Sequence, residues 1–94
     1  LPLDFSLGQN YPNPFNPSTK IQYALAKDEF VNIYIYDLMG RNVKLLLSAI
    51  QDPGYYEVNW NATNNNGELV PAGMYFYMIQ AGEFISTKKM VLLK

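Results

Sequence analysis

Residues 31–37 read Val31-Asn32-Ile33-Tyr34-Ile35-Tyr36-Asp37, and they carry the clearest structural signal in this chain. The aliphatic side chains of this run fall on one face, and its asparagine and tyrosine side chains fall on the other. A repeat of two residues is typical of a half-buried β-strand, because successive side chains of a strand point to opposite faces. The run therefore predicts a strand that packs on a core with its aliphatic face.

Similar patterns continue on both sides of this run. They predict further strands at residues 20–25, 43–47, 55–60, 73–80 and 84–93. Both faces of 73–80 are apolar, so we expect a central strand that is covered on both sides. Residues 44–51 have a second interpretation, a short helix without a capping residue. The sequence leaves that choice open.

Turn signals separate the predicted strands. Gly40 supplies a positive-φ position for a tight turn over 37–41, and Asp52-Pro53-Gly54 and Ala81-Gly82-Glu83 form further connections. The strongest signal is Asn64-Asn65-Asn66-Gly67, since Asn tolerates the left-handed backbone region and Gly favours it. Short strands with turns between them predict an all-β sandwich or barrel.

A more specific clue to the fold lies at Gly73 and Tyr75. A glycine two residues before a tyrosine, at the start of a late strand, resembles the tyrosine corner of immunoglobulin-like sandwiches. Tyr75 also fits a second interpretation, an ordinary core residue.

The composition of the 94 residues excludes several classes of function. Without cysteine and histidine, the chain has no Ser-His-Asp triad, no thiolate nucleophile and no Cys or His ligand for a metal. Seven basic and eight acidic residues give a net charge of −1, without the basic bias of a nucleic-acid binder. The longest apolar run, 74–79, is too short to span a membrane, where about 20 residues are needed. Leu1-Pro2-Leu3-Asp4 lacks the regions of a signal peptide, so we expect none here.

Side chains suited to catalysis or ligand binding are few. The only adjacent carboxylates, Asp28-Glu29, are typical of a solvated turn. The oxygen-rich stretch 61–68 lacks the spaced carboxylates of a tight calcium loop, and we expect a structural turn there. Exposed tyrosines such as Tyr34, Tyr36 and Tyr55 can stack on sugar rings, although cross-strand pairing is their commoner role. We therefore expect no enzymatic activity and no cofactor.

Both ends of the chain differ from its middle. Residues 10–17 hold three prolines, which remove backbone donors and exclude a helix or a central strand. We expect Tyr11 and Phe15 to pack onto the sandwich, the alternative being a plain linker. Three of the seven basic residues lie in 88–94, around an aliphatic run. This pattern indicates either a last strand protected by lysines from edge pairing or an address that a transport machine reads.

Together these residues resemble a known family, the type A C-terminal sorting domain of cargo proteins of the type IX secretion system. The resemblance covers residues 7–94 and is most specific at Asn10-Tyr11-Pro12-Asn13-Pro14-Phe15-Asn16-Pro17-Ser18-Thr19 and at Lys89-Met90-Val91-Leu92. It extends to shorter matches at Ile21, Tyr23, Ile35-Tyr36-Asp37, Gly40-Arg41, Val43, Gly54, Trp60-Asn61, Gly67, Ala72-Gly73, Tyr75 and Tyr77. The middle of the chain is also similar to the immunoglobulin-like domain of the flagellar hook-capping protein.

The resemblance implies an immunoglobulin-like antiparallel β-sandwich of about seven strands over residues 18–94. Residues 1–17 would form a linker and a Pro/Asn-rich segment that packs on this domain. The implied function is a non-catalytic module that directs a larger, N-terminal cargo through the outer-membrane type IX translocon, after the cargo has reached the periplasm. In many members a sortase-like peptidase removes the domain and exchanges it for a surface anchor. The expected location is therefore outside the cell or on the surface of a Gram-negative-type bacterium.

Matching positions also assign roles to residues. The resemblance implies a sorting signal at Lys88, Lys89, Met90, Val91, Leu92, Leu93 and Lys94. It implies structural roles for Asn10, Tyr11, Pro12, Asn13, Pro14, Phe15, Asn16, Pro17, Asp37, Gly40, Arg41, Trp60, Gly67, Gly73 and Tyr75. Asn61-Ala62 departs from the family, in which Asp-Gly often follows the tryptophan, and we expect this to affect a turn and not sorting.

The last strand is expected at a free sandwich edge, where it can pair with a receptor strand. Two alternatives to sorting remain open at this point. The chain could be a structural spacer or hook-cap-like assembly module, or a carbohydrate-binding module that uses surface tyrosines.

Overall fold

The computed structural model describes residues 1–93, which form two antiparallel sheets around one core. The seven strands are β1 (Ser6–Leu7), β2 (Thr19–Leu25), β3 (Glu29–Asp37), β4 (Asn42–Gln51), β5 (Gly54–Trp60), β6 (Gly73–Ala81) and β7 (Phe84–Leu92). One sheet has the order β1-β2-β5, and the other has the order β4-β3-β6-β7. The predicted all-β sandwich of about seven strands is confirmed.

The alternation of residues 31–37 has the predicted consequence for packing. Val31, Ile33 and Ile35 of β3 are fully buried, whereas Tyr34 and Tyr36 are partly exposed on the other face. The core opposite them comes from the three-stranded sheet and includes Ile21 and other fully buried side chains. Full burial of one such aliphatic side chain stabilises the fold by about 1.5–3 kcal/mol. β6 lies between β3 and β7, which confirms that it is a central strand. The expectation that both of its faces are covered is wrong, because Met74 is exposed and Phe76 and Met78 are only partly buried on its outer face.

The choice that the sequence left open at residues 44–51 is decided in favour of a strand. β4 extends from Asn42 to Gln51 and pairs with β3 along its length. The register between the two strands shifts twice, between Ile33 and Tyr34 and between Ile35 and Tyr36. Each such irregularity moves the partner's side chains relative to the sheet faces, which obscures the two-residue period. This is why the alternation within β4 was hard to recognise.

β1 was not among the strands predicted from alternation. It contains two residues, and it pairs with β2 through Ser6 opposite Ala24 and Leu7 opposite Tyr23. Two residues are too few to show a period.

The two main turn predictions are confirmed. Gly40 has a φ of +82°, and its N–H donates a 3.0 Å hydrogen bond to the Asp37 carbonyl. Gly67 has a φ of +80°, and its N–H donates a 3.0 Å bond to the Asn64 carbonyl. Both glycines occupy the left-handed region, where a side chain is disfavoured.

Candidate functional site

The C-terminal strand carries most of the residues that the resemblance assigned to a sorting signal. Lys88, Lys89, Met90, Val91 and Leu92 lie in β7, Leu93 follows it, and Lys94 lies outside the described residues. Met90 and Leu92 point into the core and are almost completely buried. Lys89 and Leu93 are exposed, with Leu93 at 50%. A receptor that binds this surface can therefore contact only every second side chain of the segment, such as Lys89 and Leu93.

Side chains from the start of the chain cover the outer edge of β7. Residues 9–17 are here called the Asn-Pro segment. Gln9 Nε2 donates a 2.9 Å hydrogen bond to the Lys89 carbonyl. Asn13 Oδ1 accepts a 3.0 Å bond from the Val91 N–H. Both backbone groups face away from β6 and would otherwise be open to pairing with another strand.

The backbone of the Asn-Pro segment continues this cover. The Phe15 N–H donates to the Val91 carbonyl at 3.0 Å, and the Leu93 N–H donates to the Phe15 carbonyl at 2.8 Å. These bonds make a short parallel bridge between Phe15 and Leu92. The expectation of a free outer edge is therefore wrong over residues 89–93, because the Asn-Pro segment occupies it. The two parts of the sequence that resemble the sorting family most specifically contact each other.

A buried hydrogen-bond network anchors the Asn-Pro segment. Asn10 is only 2% exposed, and its backbone N–H donates to Tyr77 Oη at 2.8 Å. Tyr77 Oη in turn donates to the Gly8 carbonyl at 2.6 Å. Asn10 Nδ2 donates to Thr19 Oγ1 at 3.0 Å and to the Pro12 carbonyl at 3.2 Å. Burial raises the pKa of the Tyr77 hydroxyl to about 12, so it stays protonated and can serve as both donor and acceptor.

An aromatic cluster anchors the segment a second time. Phe15 is 1% exposed, and its ring lies 5.8 Å from that of Trp60, measured between centroids. Trp60 meets Tyr75 edge-on at 5.4 Å. Tyr75 Oη donates a 2.6 Å bond to the Pro71 carbonyl, which confirms the predicted tyrosine corner. Tyr11 does not follow the prediction for it, because its side chain is 78% exposed while its backbone pairs with Lys20.

The turn at Asp37 lies beside the tyrosine corner. Asp37 Oδ1 accepts the N–H groups of Met39 and Arg41 at 2.9 Å, and Oδ2 meets Arg41 Nε at 2.8 Å. The bond from the Arg41 backbone N–H is the main reason that the pKa of Asp37 lies below its ordinary value. Burial, and secondarily the Asp37 charge, raises the pKa of Tyr75. The turn and the corner therefore share one polar environment.

Strand registers collect the motif residues at one end of the sandwich. Asp37 lies opposite Tyr75, which lies opposite Met90, so the first turn, the corner and the C-terminus are adjacent. Trp60 lies opposite Thr19 at the same end of the other sheet. The turn containing Gly67 joins this end through a 3.1 Å bond from Asn65 N–H to the Val43 carbonyl. We call this region the motif end.

The motif end includes an apolar groove beside the C-terminus. The groove has a volume of about 590 Å³. Its lining includes Pro17, Leu69, Val70, Leu92 and Leu93. Leu69 is 77% exposed there. The opposite end contains the hairpin connection at Gly82-Glu83 and the turn before Gly54.

Two kinds of feature are absent from residues 1–93. Across that range there is no group of three or more His, Cys, Asp or Glu side chains placed to hold a metal ion. Nor does that range contain a helix long and apolar enough to cross a membrane. The motif end offers an apolar groove bordered by polar groups, a surface suited to protein recognition.

Sequence reasoning missed three residues of this site. Gln9 bonds to β7 but is a common polar residue with no distinctive spacing. Thr19 bonds to Asn10 and was matched to the family without a role. Tyr77 is one of the buried residues of β6 and was matched to the family without a role. Its hydroxyl contact with Asn10 joins positions 67 residues apart, which no local pattern reveals.

Residues 9–93 match the model of a family described as the secretion system C-terminal sorting domain. The chain belongs to this family. The resemblance inferred from the sequence, to the sorting domain of type IX secretion, is confirmed. Sorting domains of this kind are in general not catalytic, and the proteins that carry them are secreted or lie at the cell surface.

Two solved structures share the fold of this sorting domain. One is dimeric latent PorU from Porphyromonas gingivalis, with 24% identity, a TM-score of 0.72 and coverage of 90% of this chain and 9% of that one. The other is PorZ of the same organism, with 21% identity, a TM-score of 0.61 and coverage of 96% and 11%. The chain thus spans about a tenth of each of these proteins. No curated protein matches it in sequence.

Proposed function

We propose that the type IX translocon reads this sorting domain through the whole motif end, and that residues 88–94 are one part of that surface. The supporting observation is the set of hydrogen bonds that joins Gln9, Asn13 and Phe15 to the outer edge of β7. A receptor that approaches Leu93 meets the Asn-Pro segment and the groove at the same time. Recognition of several segments at once is more specific than recognition of a short linear signal.

The position of the N-terminus is compatible with a cargo domain before Leu1. Phe5 stacks on Phe84 with ring centroids 5.5 Å apart, at the end of the sandwich opposite to the motif end. A preceding domain would therefore leave the motif end accessible. In this proposal residues 18–94 form most of the sandwich, and residues 1–17 connect it to the cargo, pack on it and contribute strand β1 to the three-stranded sheet.

The remaining steps of the proposed export route are those that the resemblance to the sorting family implies. The cargo would reach the periplasm first and then cross the outer membrane through the translocon. A sortase-like peptidase would remove the domain from cargo destined for a surface anchor. The domain itself would be neither an enzyme nor a nucleic-acid binder. PorZ, which shares its fold, is described as an essential surface component of the type IX system, which supports a role in that system.

A matched pair of variants, one in β7 and one directly after it, tests whether the translocon binds the motif end. Leu93 and Ile85 are exposed to similar extents, 50% and 57%, but Leu93 lies at the motif end and Ile85 near the opposite end. The assay fuses a reporter with a signal peptide to residues 1–94 in a bacterium that has the type IX system. We expect Leu93→Asp to lower the extracellular reporter about tenfold, and Ile85→Asp to leave it unchanged, because an unpaired charge that is buried at a recognition surface weakens binding.

Two further measurements complete the experiment. Deletion of residues 88–94 should abolish export, and normal export of that variant would overturn the sorting role itself. Equal export of the Leu93 and Ile85 variants would overturn the proposal that the translocon binds the motif end. The mass of the exported reporter reports on cleavage, since loss of the domain shortens it by 10.7 kDa.

A further inference from the structure

The outer face of the three-stranded sheet carries two highly exposed tyrosines that sorting does not explain. Tyr11 is 78% exposed and Tyr55 is 77% exposed. Tyr11 pairs with Lys20 of β2, and Tyr55 pairs with Ala24 of the same strand. Lys20 and Ala24 are four residues apart, so both tyrosines point to the same face of the sheet. A tyrosine with this exposure keeps most of its ring available for a ligand.

The surface between the two tyrosines is concave because its floor is made of small residues. Gly8 and Ala24 leave a groove of about 510 Å³ beside Tyr55. A second groove of about 340 Å³ lies beside Tyr11. Gln22 and Glu57 line both grooves, so the two grooves adjoin each other at this hydrogen-bonded pair. Concave sites of this size with a few polar groups are typical of small-ligand binding.

The polar groups in the groove compensate each other's charge. Lys20 Nζ lies 3.8 Å from Glu57 Oε2, and Gln22 Nε2 donates a 3.3 Å bond to Glu57 Oε1. The groove therefore has no net charge to attract an ion. The amide oxygen of Gln22, the remaining N–H groups of Lys20 and the free lone pairs of Glu57 can still bond a ligand. A ligand rich in hydroxyl groups, each both donor and acceptor, matches this set.

The spacing of the tyrosines indicates an extended ligand. Four residues of β2 separate their partners, which corresponds to about 13 Å along the strand, and the tyrosines pair with opposite sides of β2, which adds roughly 10 Å across the sheet. The two platforms are therefore about 16 Å apart on a diagonal that crosses Gln22. A sugar ring with equatorial substituents presents a flat C–H face that packs on a tyrosine ring. Two platforms at this spacing suit a straight chain of several sugars, with the polar groups between them bonded to its hydroxyls. An α-1,4-linked chain is curved, so it could contact one of the two tyrosines but not both.

We propose that the outer face of the three-stranded sheet binds a neutral, extended, β-1,4-linked oligosaccharide, with Tyr11 and Tyr55 as its stacking platforms. This assigns the sorting domain a second, glycan-binding surface that is independent of export. The tyrosines named from the sequence as sugar-binding candidates divide accordingly. Tyr55 lines this groove. Tyr34 and Tyr36 lie in the other sheet, where both are partly buried and their ring centroids are 5.9 Å apart.

Calorimetric titration of the full chain with cellohexaose tests the proposal. We expect saturable binding, weakened about tenfold by Tyr55→Ala and by Tyr11→Ala, a change of about 1.4 kcal/mol in each case. Leu69→Ala is the matched control, because Leu69 is also 77% exposed but lies at the motif end. It should bind as the unaltered chain does. All variants should keep the thermal unfolding of the parent, since the replaced side chains are exposed.

Three outcomes would overturn the proposal. They are absence of saturable binding at millimolar cellohexaose, equal binding of maltohexaose, and unchanged binding by both tyrosine variants. Preference for an anionic polysaccharide, abolished by salt, would also contradict the neutral character of the groove. Export of the reporter with Tyr55→Ala should be normal, so failure of glycan binding is separable from failure of the sorting role.

Discussion

Asn13 Oδ1 accepts a 3.0 Å hydrogen bond from the backbone N–H of Val91, which lies 78 residues later in the chain. Through this contact the Asn-Pro segment and the C-terminal strand become one surface. The contact also satisfies a backbone group on the outer edge of a sheet, where unpaired groups invite association with other strands. It therefore has consequences for both recognition and stability.

Asn13→Ala should remove this bond and loosen the edge. Because the bond is partly exposed, we expect a loss of about 0.5–1.5 kcal/mol in the free energy of unfolding. The amide of Val91 should exchange hydrogen faster by a corresponding factor, as measured by NMR. Asn16→Ala is the control, since the Asn16 side chain makes no hydrogen bond to any of residues 1–93. Unchanged exchange at Val91 would contradict the role of Asn13 as its cover.

Tyr77→Phe should destabilise the fold without changing its shape. The variant leaves the Asn10 N–H and the Gly8 carbonyl without their shared partner. Loss of a partner for buried polar groups costs about 1–3 kcal/mol, which chemical denaturation can measure. Tyr34→Phe, whose hydroxyl bonds to no other described residue, should change stability by less than about 0.5 kcal/mol. Equal stability of the two variants would mean that water replaces the lost hydroxyl.

Alkaline pH should weaken the fold through the same tyrosine. The pKa of Tyr77 rises from 10.0 to about 12 on folding, so between these values the unfolded chain has lost a proton that the folded one keeps. The stabilisation is complete below pH 10 and is lost as pH rises towards 12, with a slope of up to about 1.4 kcal/mol per pH unit. Denaturation curves across this range should fall less steeply for Tyr77→Phe. Tyr23 and Tyr75, whose pKa values are also raised, contribute equally in both proteins.

Phe15→Ala should be the most damaging single change in the Asn-Pro segment. Its ring fills the space beside Trp60, and removal of a buried aromatic ring costs about 3–5 kcal/mol. Small domains are stable by only about 5–15 kcal/mol in total, so the midpoint of thermal unfolding should fall sharply. Tyr11→Ala, four residues earlier and exposed, should leave that midpoint almost unchanged. A mild effect of Phe15→Ala would show that the hydrogen bonds of the segment hold it in place without the Phe15 ring.

Local sequence patterns were sufficient to predict the turns and all strands except β1. The alternation of Val31, Ile33 and Ile35 depends only on the geometry of one strand, and Gly40 and Gly67 act within four residues of their partners. The tyrosine corner could also be predicted from the sequence, because Tyr75 and Pro71 are close along the chain. β4 was harder, since its period is broken by irregular pairing with a strand outside the local window.

The amino-acid sequence alone was enough to predict the sandwich, its turns and the family. The reason is that side-chain period, backbone preference and family motifs are all local features of the sequence. Only the tertiary structure decided that Asn13 and Phe15 cover the edge of β7, and that Tyr11 faces solvent while Phe15 is buried. It also decided that the scattered motif residues meet at one end. The physical reason is that strand register across two sheets, and not spacing along one segment, sets which distant residues become neighbours.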